Sequence, residues 1–217
     1  MKKIVVFGIG DFSDIIVDMI QNKLDLSVEG FVIDDEYYAN NIWKGKPVVP
    51  LSRIKENYPK ENYSIVLGMI GDRLFDLRAV KFRYLKELGY KIENIIHPSA
   101  TISYETIGEG NIFLENSCVA FGSVIGDGNI FWPLSCVNHH GKIGSFNNLS
   151  PSVSLAGGVT VGDHCFLGCN STYNNRIIVH DYTFVGAGSY ISCNTEPYGV
   201  YVPPRAIKLS KVSIDFK

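Results

Sequence analysis

From Ile107 to Ile191 every sixth residue is aliphatic or aromatic: Ile107, Phe113, Val119, Ile125, Phe131, Val137, Ile143, Leu149, Leu155, Val161, Leu167, Tyr173, Val179, Val185 and Ile191. Every third member of that series is followed by glycine, at Ile107-Gly108, Ile125-Gly126, Ile143-Gly144 and Val161-Gly162, until Val179-His180 breaks the rule. Four residues after the apolar position a small or short polar side chain recurs, as at Ser117, Ser123, Ser135, Cys165, Ser171, Thr183, Ser189 and Thr195. Neither a 3.6-residue helix nor a two-residue strand alternation holds that register. A β-solenoid does, with six residues to a side and three sides to a coil. The large residue then points inward and the small one fills the interior near a corner, where glycine is expected to tolerate the turn conformation. A β-sandwich with chance spacing would need variable turns, against which the unbroken run argues.

The remaining composition narrows the function classes. With 217 residues the chain holds one large domain or two small ones. A net charge of −2 offers no basic field to nucleic acid or an anionic membrane. No run of about 18 apolar residues exists to span a bilayer. The start "MKKIVVFGIG" has the lysines of a signal peptide, but its apolar run stops at Gly-Ile-Gly-Asp with no small-residue cleavage site. The five cysteines form no C-x-x-C pair, so zinc and disulfides are not expected and a cytoplasmic location is.

Ahead of the repeat, "KKIVVFGIGDFSDIIVDMI" reads as a strand, a Gly-x-Gly turn and an amphipathic helix. Asp11 or Ser13 is expected to cap that helix, with Ile15, Ile16, Met19 and Ile20 on its buried face. A second strand, "VEGFVIDDE", ends in Asp34-Asp35; a third, "YSIVLGMIGD", ends at Gly68, with Asp72 as the cap of a following helix. Alternating strands and helices predict a parallel sheet that receives ligands at its strand C-termini. Gly8 and Gly10 begin a dinucleotide fingerprint that Ser13 breaks at the third glycine. The N–H groups after Gly10 suit a phosphate, and Asp34-Asp35 suits a ribose or base. Fewer than 100 residues leave room for a mononucleotide half only, and a purely structural cap is the alternative.

The repeat resembles the hexapeptide motif of left-handed parallel β-helix acyltransferases. Over about residues 95–209 it is similar to the branch containing sialic acid O-acetyltransferases and nucleotide-aminosugar N-acetyltransferases. "HPSATIS" at His97–Ser103, "LAGGVTVGDHCFLGCNS" at Leu155–Ser171 and "VGAGSYI" at Val185–Ile191 carry the likeness. The resemblance implies a Rossmann-like α/β domain over residues 1–95 that binds a nucleotide-linked sugar. It implies a left-handed β-helix acetyltransferase domain over 96–217. Gly8, Gly10, Asp34, Asp35 and Gly68 would line the nucleotide site, and Asn148 would face the acceptor sugar. Acetyl-CoA would lie between subunits of a homotrimer, against Ala156, Gly157, Gly168, Gly186 and Ala187, with Arg205 and Lys208 near its phosphates. The implied activity is acetylation of an amino group on a nucleotide-linked amino-deoxysugar. The alternatives are acetylation of a sugar hydroxyl and a non-catalytic sugar-nucleotide-binding protein.

The same resemblance selects His139 in "VNHHGKIG" as general base, since relatives carry Val-x-His, an acid, then Ile-Gly. An imidazole can take the proton of an attacking amine or hydroxyl at neutral pH. One coil later lies Gly157, whose N–H is assigned to the acyl carbonyl. Relatives place a carboxylate where this chain has His140, which can hydrogen-bond but cannot supply negative charge; either His140 or a carboxylate of another subunit supports His139. Carbonic anhydrases with this coil need three convergent imidazoles, two of them five residues apart. That spacing is missing, and adjacent His139 and His140 are expected to diverge, so no metal is expected. His97 and His180 are read as structural.

Overall fold

The computed structural model describes residues 2–71, 76–208, 210 and 214. Its first part is a sheet in the order β3-β4-β2-β1-β5, formed by β1 (Lys2–Phe7), β2 (Leu26–Ile33), β3 (Ile42–Trp43), β4 (Lys46–Pro50) and β5 (Ser64–Leu67). All pairings are parallel except the β3–β4 hairpin. That hairpin turns on Lys44 and Gly45, both at positive φ (48° and 72°), the conformation a two-residue hairpin loop demands. β4, "KPVVP", carries two prolines and was not expected from the sequence as a strand.

α1 (Asp11–Lys23) follows β1. Its N-cap is Gly10 at φ 140°, and no side chain caps it. Ser13, expected as a cap, is instead fully buried and donates its hydroxyl to Gly8 O (2.9 Å) and Gly68 O (2.7 Å). The buried face is Phe12, Ser13, Ile16, Val17, Met19 and Ile20. Ile15 is exposed, one position off the stripe that Phe12, Ile16 and Met19 define. Two more helices, α2 (Ile54–Asn57) and α3 (Asp76–Glu87), flank β5. Asp72, the expected cap of α3, and Leu209, the expected end of the coiled segment, lie outside the described residues.

The second part is a parallel β-coil. Short strands pair with the strand eighteen residues on, as in Ile130↔Asn148, Val137↔Leu155 and Ile143↔Val161, giving three lines of stacked strands. Of the fifteen six-fold positions, fourteen are buried and only Ile107, in the first coil, is partly exposed. The small residues four positions later are buried as well, from Ser117 (1 % exposed) to Thr195 (3 %). Burying an aliphatic side chain contributes about 1.5–3 kcal/mol, so the six-residue period is itself the stabilising pattern.

The corners depart from expectation in an instructive way. The left-handed position lies three residues after each inward residue, and non-glycine side chains mostly occupy it: Leu134, His140, Phe146, Ser152, His164, Asn170, Arg176 and Tyr182, all with φ of 56–63°. The glycines directly after the inward residues have ordinary φ, so turn conformation does not explain them. Space does. A Cβ on Gly144 would lie 2.3 Å from Asp163 Oδ1 and 2.6 Å from Gly162 O, because the aspartate of the next coil folds back to accept the Ser145 N–H (2.6 Å). Inside, Asn111, Asn129 and Asn147 form a ladder in which each side-chain oxygen accepts the backbone N–H one coil on.

The sheet and the coil share a seam. Ile95, Ile112, Leu114, Ile130 and Phe146 belong to the core of the first part, and Phe12 meets Trp132 at 5.6 Å. Arg78 of α3 crosses it, fully buried, donating to Leu67 O and Met69 O on one side and to Gly110 O (3.0 Å) and Gly128 O (2.9 Å) on the other. Burial lowers its pKa to about 9, which leaves it charged at neutral pH.

Candidate active site

Consecutive coils stack Phe121-Gly122, His139-His140, Gly157-Gly158 and Asn175-Arg176 on one edge of the prism. The left-handed residue of each coil donates its N–H to the carbonyl one coil back: His140 to Phe121 O (2.9 Å), Gly158 to His139 O (2.9 Å), Arg176 to Gly157 O (3.1 Å). The residue before it has no such partner. At His139 the N–H is capped by Asn138 Oδ1 (3.0 Å), and at Asn175 by Asn174 Oδ1 (2.9 Å). Between them stands Ala156, which has no acceptor to offer. Among the described residues the Gly157 N–H therefore has no hydrogen-bond partner, although Gly157 is buried.

Gly157 lies under the His139 ring: a Cβ there would come 2.5 Å from Cε1 and 2.6 Å from Nε2. The two histidines do not diverge. Their Nδ1 atoms face each other at 3.1 Å with the rings near perpendicular (82°), because the left-handed backbone of His140 turns its side chain back toward its neighbour. Both side chains are exposed, and neither has a carboxylate within ion-pair distance among the described residues.

The other expected residues are dispersed. Ala156 lies on the histidine edge, whereas Gly168, Gly186 and Ala187 stack at another edge, where Gly168 donates to Val185 O (2.8 Å). Asn148 is 3 % exposed and spends its amide on Trp132 Nε1 (2.7 Å) and Ser150 Oγ (2.7 Å), away from His139. Arg205 and Lys208 are exposed. His97 bonds Ser99 in the turn into the coil, and the backbone of His180 bonds Thr195. His164, in a separate stack between Phe146 and Tyr182, pairs with Asp76 (3.2 Å).

At the C-terminal end of the parallel sheet, Phe7, Gly8, Ile9, Ile33, Asp34, Tyr37 and Met69 line a cleft of about 190 Å³. Asp34 pairs there with Lys81 of α3. Asp35 turns away to Ser52, whose hydroxyl and N–H hold its carboxyl below the usual range. Gly68 does not line the cleft. Its missing side chain makes room for Val6 and Ser13, which a Cβ would approach to 2.4 and 2.6 Å. Gly10 caps α1 beside open space. Tyr37 and Met69 were missed in the sequence, where neither has a motif to mark it.

No protein-family model matches the chain. Its fold does have solved counterparts. A histidine-to-asparagine variant of perosamine N-acetyltransferase from Caulobacter crescentus, in complex with CoA and GDP-perosamine, superposes with a TM-score of 0.79 at 24% identity, over 94% of each chain. The acetyltransferase domain of PglB from Neisseria gonorrhoeae does so with a TM-score of 0.77 at 23% identity, over 94% of this chain and 97% of that one. The chain has the fold of the left-handed β-helix acyltransferases. Among curated proteins, 2,3,4,5-tetrahydropyridine-2,6-dicarboxylate N-succinyltransferase from Thiobacillus denitrificans is 36% identical over 174 residues. That match covers 76% of this chain and 61% of the relative, so the chain spans about six tenths of the succinyltransferase. No helix among the described residues is long and apolar enough to cross a membrane, and no group of three or more His, Cys, Asp or Glu among them could hold a metal.

Proposed function

We propose that the protein is an acetyltransferase that moves an acetyl group from acetyl-CoA to the amino group of a nucleotide-linked amino-deoxysugar. The observation that carries this reading is the histidine edge, with His139 Nε2 over Gly157 and an unpaired Gly157 N–H in the adjacent coil. A side chain at 157 would collide with the His139 ring, so the glycine is what lets the imidazole lie against this corner. Acetyl-CoA, when bound, supplies an activated acyl group. His139 takes the proton of the attacking amine at Nε2, and the Gly157 N–H donates to the oxygen on which negative charge develops. The cleft lined by Gly8, Asp34 and Met69, with the α1 N-terminus beside it, receives the nucleotide. Residues 1–95 then form a Rossmann-like binding domain and 96–217 the transferase domain. The neighbour bound to both CoA and GDP-perosamine supports that pairing.

The separation of Gly186 and Ala187 from the histidine edge fits a homotrimer, in which the edge of one subunit meets another's. Threefold packing of flat prism faces is the symmetric way to do so. The test is CoA thiol release from acetyl-CoA with a panel of nucleotide-linked aminosugars that includes GDP-perosamine, on protein of about three times the 24.1 kDa chain mass. His139→Ala should lower kcat about 10²–10⁴-fold. Unchanged turnover in that variant would remove the base assignment, and a monomeric active species would remove the shared site.

A further inference from the structure

We propose that Cys118 and Cys136 are a redox-modification site: glutathione disulfide closes them into a bond between coils, which slows the reaction at the histidine corner. Of the five cysteines, all free thiols, only these two are eighteen residues apart. They are direct partners in the pairing of strands Cys118–Ile125 and Cys136–Val137. The Cys118 N–H donates to Ser135 O (2.8 Å), which fixes the register at this point. Each cysteine precedes an inward valine, Val119 or Val137, so both thiols project from one outer face, partly exposed. Adjacent strands lie about 4.7–4.9 Å apart, inside the Cα separation of about 4.4–6.8 Å that a disulfide spans.

The spacing suits a bond that opens again. In-register side chains start about 4.8 Å apart at Cβ, whereas a disulfide needs about 3.5–4.5 Å, so closure pulls the strands together. A disulfide under such strain is readily reduced, as regulatory ones are. The other thiols lack a partner of this kind. One coil either side of Cys169 stand Pro151 and Ala187, and one coil before Cys193 stands Asn175. Cys165 is buried, donates to His180 O (3.1 Å) and is pushed up to about 12 by burial.

The exchange balances in two steps. One cysteine thiolate attacks glutathione disulfide, forming a mixed disulfide and releasing a glutathione thiolate; the second cysteine thiolate then displaces the other glutathione. The pair loses two protons and two electrons, and glutathione disulfide is reduced to two glutathiones. Burial, and then the adjacent Cys118 thiol, push the Cys136 thiol up, so closure quickens as pH rises above neutral. Its effect reaches the corner through the strand that begins at Cys118. That strand runs on to Phe121, whose carbonyl accepts the His140 N–H (2.9 Å). Gly122 follows, so close under His140 that a Cβ would come 2.8 Å from Cδ2. Drawing these coils together displaces His140 and, through the 3.1 Å Nδ1 contact, His139. The loss of rate rests on the proposed function; the bond does not.

The test is incubation of the whole protein in glutathione buffers of rising disulfide-to-thiol ratio, followed by alkylation and peptide mapping. A Cys118–Cys136 cross-link that dithiothreitol reverses is expected. Thiols that stay free at every ratio, or glutathione retained on either cysteine without a cross-link, overturn the proposal. After buffer removal, the cross-linked protein should turn over the aminosugar nucleotide about 10–100-fold more slowly than the reduced protein. The Cys118→Ser/Cys136→Ser variant should match the reduced wild type before and after treatment. Equal rates in the cross-linked and reduced wild type overturn the proposal too. A protein that acetylates no aminosugar nucleotide in either state would instead remove the proposed function. The cross-link, with the shift it should impose on the His139 and His140 ring resonances, then decides alone.

Discussion

A buried glycine beneath an exposed imidazole makes a residue-level claim that can be isolated. Gly157 has an ordinary backbone, so alanine is conformationally acceptable there, but its Cβ would meet the His139 ring at 2.5–2.6 Å. The ring is the movable partner and should swing off the corner. Gly157→Ala is therefore expected to leave thermal stability nearly unchanged while lowering kcat about 10²-fold, as a displacement of about 1 Å can. A melting curve beside an assay of thiol release checks both halves. The positions of His139 and Gly157 were legible, because counting by six and by eighteen places them on one edge. The Gly157 N–H was assigned to the acyl carbonyl, but the reason it is left unpaired was not read, although its signal was present: Asn138, Ala156 and Asn174 occupy one position in three consecutive coils, and only the alanine cannot cap. The choice between Asp34 and Asp35 was not legible at all, since it turns on Ser52, seventeen residues away.

Among the elements, the coil strands were readable and the first sheet only partly so, for one physical reason. Each coil strand repeats the environment of the strand eighteen residues before it, so errors cannot hide. β4 occurs once, holds two prolines and gains its strand conformation from its place beside β2. The reason for the Ile-Gly pairs was equally invisible, because the aspartate that fills the glycine's space belongs to the next coil. The asparagine ladder yields the prediction at this scale. Asn129 donates to Asn111 Oδ1 (3.0 Å) and Gly144 O (2.9 Å), and accepts from the Asn147 N–H (2.9 Å), with no exposed surface. Asn129→Ala strands a buried N–H and removes a donor from a carbonyl. A loss of about 2–4 kcal/mol is expected in equilibrium denaturation. A loss below about 0.5 kcal/mol would mean that water replaces the amide and that the ladder is dispensable.

For the molecule as a whole, the cleft at the sheet and the histidine edge can cooperate only if the two parts keep a fixed relation. Arg78 is the group placed to keep it, since its four carbonyl acceptors divide evenly between the end of β5 and two corners of the coil. A buried guanidinium with no counter-ion among the described residues carries a desolvation cost, so replacing it with a residue of similar length relieves one penalty and creates another. The four carbonyls decide the sign, because each one left unpaired in the interior costs about 1–3 kcal/mol while methionine adds only apolar contact. Arg78→Met should therefore destabilise the protein by about 2–4 kcal/mol after the relief is counted. The loss should appear first at the seam. Trp132, which packs on Phe12 at 5.6 Å and donates to Asn148, reports on that seam when Trp43→Phe removes the other indole. In that background Arg78→Met should red-shift Trp132 emission at denaturant concentrations where the circular dichroism of the coil is still intact. Coincident loss of both signals would show instead that sheet and coil unfold as one unit and that the guanidinium adds stability without acting as a separable joint.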